Sequence, residues 1–367
     1  MTGSLDIVII GLSLSSSWGN GHATTFRALV RGLHEEGHRV LFLERDVPWY
    51  ANHRDLKDPD FCELAYFQDT EELFSRFCEP LRSADAVIIG SYVPDGIAIV
   101  DRLCVVGPRL LCFYDIDTPV TLARLARGDE EYLAVRQIPL FDIYFSFSGG
   151  DVLDRLERHY GARRAMPLYC AVDAERYRCT QEAPQWDLGY LGTYSEDRQQ
   201  TLEELLIEPA RQLRQMRFVV AGPGYPDEIE WPANVDRIDH IAPGQHASFY
   251  SRQRFTLNVT RSDMRAAGWS PSVRLFEAAA CRTPVISDEW QGLSSLFPEE
   301  QAIVIARESA DVVEALVQYG PEKRRLLSEI AYDIVAGAHT GRFRARELAA
   351  ALETAAQEAA DQWLKTV

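Results

Sequence analysis

The sequence has little that would direct it to a membrane, an oxidising compartment or a nucleic acid. No run approaches the ~20 apolar residues that a membrane span requires. The start, MTGSLDIVIIGLSLSSSWGNGH, lacks a basic n-region, and its apolar stretch passes into a Gly-rich turn rather than a cleavage site, so it reads as a first β-strand. Seven cysteines (Cys62, Cys78, Cys104, Cys112, Cys170, Cys179 and Cys281) lie scattered with no CxxC pair, several inside apolar runs such as RLLCFYDI. That odd, unpatterned set reads as reduced core thiols of a cytoplasmic protein. Positive charge is short: 38 Lys and Arg stand against 55 Asp and Glu, a formal net charge of −17. Such a field disfavours duplex nucleic acid and anionic lipid, whereas a nucleotide phosphate needs only a few N–H groups and one Arg. There is no low-complexity tract, no short-period repeat and no GxGxxG.

What is present is ordinary globular composition: 367 residues, 46% apolar and 25% charged, more than one hydrophobic core organises. Two domains are therefore expected. Short β-branched runs (DIVIIGL, HRVLFLERD, ADAVIIGSY, RLLCFYDID, FDIYFSFS) alternate with longer amphipathic segments, the βαβ rhythm of a parallel sheet. In the first such segment Phe26, Leu29, Val30 and Leu33 fall at helical spacing, with Arg27, Arg31 and Glu35 on the other face. After GDVLDRLERHYGA and RAMPLYCAVD the rhythm restarts with WDLGYLGTY, a helix from about Arg198 to Met216, RFVVAGPG, RFTLNVTRS, SVRLFEAAACR and TPVISDE. The organisation expected is one domain over residues 1–170, a second over 171–342, and a closing Ala/Glu-rich helix within 343–367. Ligands of doubly wound sheets bind beyond the carboxyl ends of the strands, so the chemistry should lie in strand-to-helix loops.

Five such loops stand out. In SLSSSWGNGHATTF, Gly19 and Gly21 let the backbone approach a ligand and His22 is placed to contact a sugar or an acceptor; a flexible turn capped by Thr24 or Thr25 fits the same residues. In YDIDTPVT, Asp115 and Asp117 sit two apart at a strand end, spaced to face one way and deprotonate a hydroxyl. Were Asp117 or Thr118 an N-cap, Asp115 would be the freer carboxylate. DLGYLGTYSEDRQ gathers Gly192, Thr193 and Arg198 at a strand end and helix start, which suits a diphosphate, or else forms a helix capped by Ser195. RFVVAGPGYP runs into Gly222, Pro223 and Gly224, where a nucleobase or ribose can lie against backbone, as can an ordinary tight turn. Finally Ser272, Val273, Arg274 and Glu277 open a small-residue helix whose first N–H groups would hold a pyrophosphate while Glu277 binds ribose hydroxyls. The competing reading there is a surface Arg–Glu pair worth a few tenths of a kcal/mol.

SPSVRLFEAAACRTPVIS, DLGYLGTYSEDRQ and YDIDTPVT together resemble GT-B glycosyltransferases, and specifically the CgeB-like (spore-maturation-type) group. The resemblance implies an α/β protein of two facing Rossmann-like, doubly wound parallel-sheet domains with an interdomain cleft. The nucleotide-sugar would bind the C-terminal domain, the acceptor would lie toward the N-terminal one, and the last helix would pack back toward the N-terminal domain. Related retaining enzymes carry two glutamates separated by seven residues; Glu277 matches the second, and the first falls at Trp269. That departure leaves the stereochemistry unassigned. The family's glycine after the helix is replaced by Arg282.

The expected activity is transfer of a sugar from a nucleoside-diphosphate sugar, a co-substrate rather than a cofactor, to a hydroxyl on a small molecule, glycan or protein. Asp115 is the preferred general base, with Asp117 and His22 as alternates, and no metal is expected at the leaving group. Competing expectations are a nucleotide-sugar epimerase of the same fold and a non-catalytic nucleotide- or glycan-binding accessory protein.

Overall fold

A computed structural model describes residues 3–18 and 21–366, with side chains as far as residue 361. The chain divides into two compact units, Met1–Ala171 with Thr340–Val367, and Val172–His339.

The first unit is built on β1 (Asp6–Gly11), β2 (Arg39–Arg45), β3 (Glu63–Phe67), β4 (Ala86–Gly90), β5 (Leu111–Asp115), β6 (Ile143–Ser146) and β7 (Ala165–Pro167). They form one parallel sheet in the order β3-β2-β1-β4-β5-β6-β7. Ile9 of β1 lies between Phe42 of β2 and Ile88 of β4. Successive residues Ile7 to Ile10 are all buried, so both faces of the sheet are covered, which is why these strands read as unbroken apolar runs rather than alternations.

The helix Gly21–Glu35 buries Phe26, Leu29, Val30 and Leu33 as the spacing predicts. Arg27, assigned to the open face, is buried too: its Nε donates to the Leu14 carbonyl at 2.8 Å and it pairs with Asp55 at 2.7 Å. The C-terminal helix, Gly341–Thr366, lies on this first helix so closely that a Cβ on Gly341 would sit 2.0 Å from the Ala28 carbonyl oxygen. Glu36 holds Arg342 and Arg346 of the C-terminal helix beside it.

The second unit contains β8 (Trp186–Leu191), β9 (Phe218–Ala221), β10 (Val235–Ile238), β11 (Gln253–Asn258), β12 (Val285–Asp288) and β13 (Val304–Ala306). These form a parallel sheet in the order β10-β9-β8-β11-β12-β13. Both sheets thus reverse direction of growth beside their first strand, the doubly wound plan. The segment after β8 is helical over Glu196–Leu202, opens into a π-turn at Glu203–Ile207, and ends at Gln212 rather than Met216. Arg282 follows the helix Val273–Ala280 at φ 56, the left-handed conformation that a glycine takes most easily, and its guanidinium lies 3.8 Å over the Tyr332 ring.

Among the described residues no helix is long and apolar enough to cross a membrane, and no disulfide joins the cysteines. Cys112, Cys170 and Cys281 are core residues, but Cys104 and Cys179 are exposed, so the expectation of core thiols holds only for part of the set.

Candidate active site

In the first unit the described part of the loop after β1 is held by buried hydrogen bonds. Glu44 on β2, fully buried, accepts hydrogen bonds from Leu14 N (2.7 Å), Ser15 N (2.9 Å) and Ser15 Oγ (2.6 Å). Asp55 accepts from Ser17 N and Oγ and from Arg27. The helix is already running at Gly21, so neither Thr24 nor Thr25 caps it, and Gly19 lies outside the described residues. At the loop's end Trp18 stacks on His53 with ring centroids 4.8 Å apart, and the exposed Trp49 lies 5.8 Å from the same imidazole. Nothing in the sequence pattern linked these three rings.

His22, Asp115 and Asp117 come together through a residue that sequence reasoning missed, Tyr92. The His22 ring meets the Tyr92 ring edge-on at 5.3 Å, and the Tyr92 hydroxyl donates to Asp117 Oδ2 at 3.3 Å. Burial lowers the His22 pKa to about 4, which leaves the imidazole neutral near pH 7.

The two carboxylates do not act as an equivalent pair. Asp117 is half-buried at the N-cap position of the helix Thr118–Leu125, with Pro119 in the first turn, but its side chain does not cap the helix. Asp115, expected to be the freer of the two, has no exposed surface at all. Its Oδ2 accepts from Tyr144 at 2.6 Å, and its Oδ1 from Thr121 Oγ1 at 2.8 Å and Asp117 N at 3.1 Å. Asp115 is thus the more enclosed of the two carboxylates, not the freer one.

Burial raises the Asp115 pKa from the ordinary 3.8 to about 6, with the Tyr144 and Thr121 hydroxyls opposing the shift. Between those values the folded state binds this proton more tightly than the unfolded chain does, so the contribution of Asp115 to stability declines as pH rises through the window. Asparagine carries no such dependence. Asp115→Asn is expected to gain on the wild type by about 3 kcal/mol between about pH 4 and pH 7. Urea unfolding of both proteins across that range measures it, and a pH-independent difference would show that Asp115 keeps an ordinary carboxylate pKa.

In the second unit the candidate donor-site residues gather at the carboxyl ends of β8, β9 and β11. Arg198 Nη2 donates to the Thr193 carbonyl at 2.7 Å, whereas its Nε is buried with no hydrogen-bond partner among the described residues. Burial lowers the pKa of Arg198, as do the positive charges of Arg274 and Arg261, while Tyr190 and the Asp197 carboxylate oppose the shift. Arg261 carried no sequence signal of its own. Ser195 occupies an N-cap position, yet its hydroxyl turns to Asp197 instead of the helix N–H groups. Asp197 Oδ2 accepts from Ser262 N at 3.0 Å, tying this helix start to the loop that follows β11.

Arg274 and Glu277 are not the surface pair weighed above, for both are buried and no ion pair joins them among the described residues. Arg274 Nε donates to the Leu191 carbonyl at 2.8 Å and Nη1 to Asn258 Oδ1 at 3.0 Å, clasping the ends of β8 and β11. Asn258 Oδ1 also accepts from Ser272 Oγ at 2.9 Å, so one buried amide orients both residues. Ser272 and Val273 remain partly exposed at the helix start, with Thr193 exposed opposite Arg198.

Glu277 is enclosed: Tyr250 donates to its Oε2 at 3.0 Å, and the Tyr177 hydroxyl also bonds it. Burial raises its pKa, with the Tyr177 and Tyr250 hydroxyls opposing the shift. Gly222 has φ 140, and a Cβ there would stand 2.1 Å from the Gly192 carbonyl oxygen, so the close meeting of the β8 and β9 ends accounts for that glycine. Next to it the Tyr194 amide donates to the Pro223 carbonyl, and a Cβ on Gly224 would rest against the Tyr194 side chain. Trp269, at φ 47, lays its ring over Gly292 and donates its backbone N–H to the Gln291 carbonyl at 2.7 Å.

Residues 198–350 match the family described as glycosyl transferase-like. No curated protein matches the chain. Among solved structures, a sucrose-phosphate synthase from Thermosynechococcus elongatus is similar with a TM-score of 0.65 at 13% identity, over 99% of each chain. Anabaena HepE in complex with UDP-glucose gives a TM-score of 0.68 at 12% identity, over 95% of this chain and 100% of that one. An α-glucosyltransferase in complex with UDP-glucose and DNA containing an abasic site gives 0.66 at 13% identity, over 96% and 100%. With its two doubly wound parallel sheets and its glycosyl transferase-like segment, the chain has the GT-B fold of glycosyltransferases.

Proposed function

We propose that the protein transfers a sugar from a UDP-sugar to an acceptor hydroxyl, as a cytoplasmic enzyme of the CgeB-like group. The observation that carries this reading is Arg198, whose buried Nε lacks a partner beside the guanidinium groups of Arg274 and Arg261. The Asp197 carboxylate offsets part of the positive charge of Arg198, Arg274 and Arg261, and a diphosphate at a helix start is the anion that fits the remainder. Arg198, Arg261 and the first N–H groups of the helix Val273–Ala280 would then stabilise the charge that develops on the departing UDP. These cations can serve the leaving group without a resident metal.

On the acceptor side, Asp117 takes the hydroxyl proton, with neutral His22 and Tyr92 beside it. The net charge of −17 opposes duplex DNA as the acceptor, although one structurally similar enzyme holds DNA. A thermal-shift panel of UDP-, GDP-, ADP-, CDP- and dTDP-sugars, run in EDTA, tests the donor claim, since bound ligand stabilises the fold by RT ln(1 + [L]/Kd). The UDP-sugars are expected to give the largest shift. Absence of a shift with every donor would refute the reading, and a shift that needs Mn²⁺ would refute its metal-free form.

A further inference from the structure

We infer that Trp18 and Trp49, with His53 between them, form a stacking platform for an oligosaccharide acceptor, a chain of several linked sugar rings. The inference rests on the transferase reading above and names the class of its acceptor. Its first observation is exposure: Trp18 is 48% and Trp49 61% exposed, although each lies against the same imidazole. Rings that gather to build a core bury one another, as Phe26 does with Phe42 and Tyr114 in the same unit. No other tryptophan, tyrosine or phenylalanine among the residues with described side chains is exposed.

Short-range bonds fix the three rings in place. Pro48 opens a single helical turn, Pro48–Ala51, and the His53 Nδ1–H donates back to the Trp49 carbonyl at 2.8 Å. The loop after β1 is tied to the same segment. Ser16 Oγ donates to the His53 carbonyl at 2.9 Å, and the Asp55 and Leu56 amides donate to the Ser15 carbonyl at 3.0 Å. Trp18 meets His53 nearly parallel, at an interplanar angle of 13°. Tryptophan has only two side-chain torsions, so a platform held in this way loses little further freedom when a ligand settles on it.

The charges beside these rings are already paired. Arg54 holds Asp46 at 2.6 Å and Arg27 holds Asp55 at 2.7 Å, which favours an uncharged occupant over a phosphate or a charged peptide. A pyranose ring presents a face of C–H groups, which packs on indole, and a rim of hydroxyls, which donate to carboxylates such as the exposed Asp55. Position supplies the length of the occupant. Trp49 and Trp18 follow the carboxyl ends of β2 and β1, Tyr92 and Asp117 follow those of β4 and β5, and the four strands are neighbours in the order β2-β1-β4-β5. Strands lie about 4.8 Å apart, so the tryptophans and Asp117 are separated by about 10–15 Å along one edge of the sheet. One sugar ring does not cover that span. An acceptor held on the platform and reacting at Asp117 is therefore several rings long.

Calorimetric titration of the full chain with maltohexaose, cellohexaose, chitohexaose, mannohexaose and xylohexaose, without donor, tests the platform. At least one hexasaccharide should bind, on the order of tenfold more tightly than its monosaccharide. Trp49→Ala should weaken that binding on the order of tenfold, as loss of an aromatic anchor does, and Trp49→Tyr should recover most of it. Because the ring is exposed, the thermal midpoint of Trp49→Ala and its shift with UDP-sugars should match the wild type. In a transfer assay the same variant should raise the KM for the hexasaccharide and leave kcat and the donor KM unchanged, the signature of lost uniform binding. Trp18→Ala provides an independent second variant with the same expectations. No binding by any hexasaccharide, or equal binding in the folded alanine variants, would overturn the platform. So would adsorption to phosphatidylcholine vesicles that Trp49→Ala abolishes while no sugar binds. A wild type that binds a hexasaccharide through the tryptophans yet transfers no sugar would strike the transferase reading and leave the platform standing.

Discussion

Replacing Arg198 with alanine is expected to lower the rate of sugar transfer on the order of 10²–10³-fold, because a preorganised donor at the leaving group is removed. The thermal midpoint should stay close to that of the wild type, since Arg198 makes one hydrogen bond to Thr193 and its Nε makes none. Relief of repulsion from Arg274 and Arg261 offsets part of even that loss. Arg198→Lys should recover little, as an ammonium lacks the planar fork that engages two phosphate oxygens. Arg274→Ala is a poorer probe, because it also unclasps β8 from β11. Steady-state kinetics with the donor found in the binding panel measures the effect. Unchanged turnover and donor affinity in Arg198→Ala would remove this residue, and the anion site with it, from the mechanism.

Asp117→Asn is expected to reduce kcat on the order of 10²–10⁴-fold with the donor KM little changed, the loss that removal of a general base produces. Asparagine keeps the size of the side chain and its hydrogen bond from Tyr92, so folding should survive. Asp115→Asn should cost less activity, since the fully buried Asp115 is enclosed by Tyr144, Thr121 and the Asp117 amide. The order of the two effects is the informative result. A larger loss in Asp115→Asn than in Asp117→Asn would return the base to the buried residue and contradict the assignment made here.

The strand-to-helix loops proposed for the donor were legible as loops in the sequence. Thr193, Arg198, Ser272 and Arg274 do gather within the second unit, because strand-to-helix loops of a doubly wound sheet all open at one edge. What a pattern of residues could not supply was the state of each polar group. Glu277 matched a motif, yet the hydroxyls of Tyr250 and Tyr177 enclose it. Asp115 and Asp117 looked alike two residues apart; Tyr144, 29 residues farther along, buries one of them. Arg27 fell on the polar face of its helix, and Asp55 drew it inward.

By itself the sequence determined the two α/β units and most of their strands, since a parallel strand covered on both faces must be an unbroken apolar run and a helix beside it must carry a stripe. It did not mark β3, β10 or β13, which are short and lie at or near the sheet edges, where packing from one side leaves a weak pattern. Tertiary structure alone decided which carboxylate is enclosed, which guanidinium keeps an N–H unpaired among the described residues, and that Tyr92 meets Asp117 while Thr121 and Tyr144 close over Asp115. Burial and pairing of a polar group depend on partners brought from distant parts of the chain, and local periodicity carries no record of them.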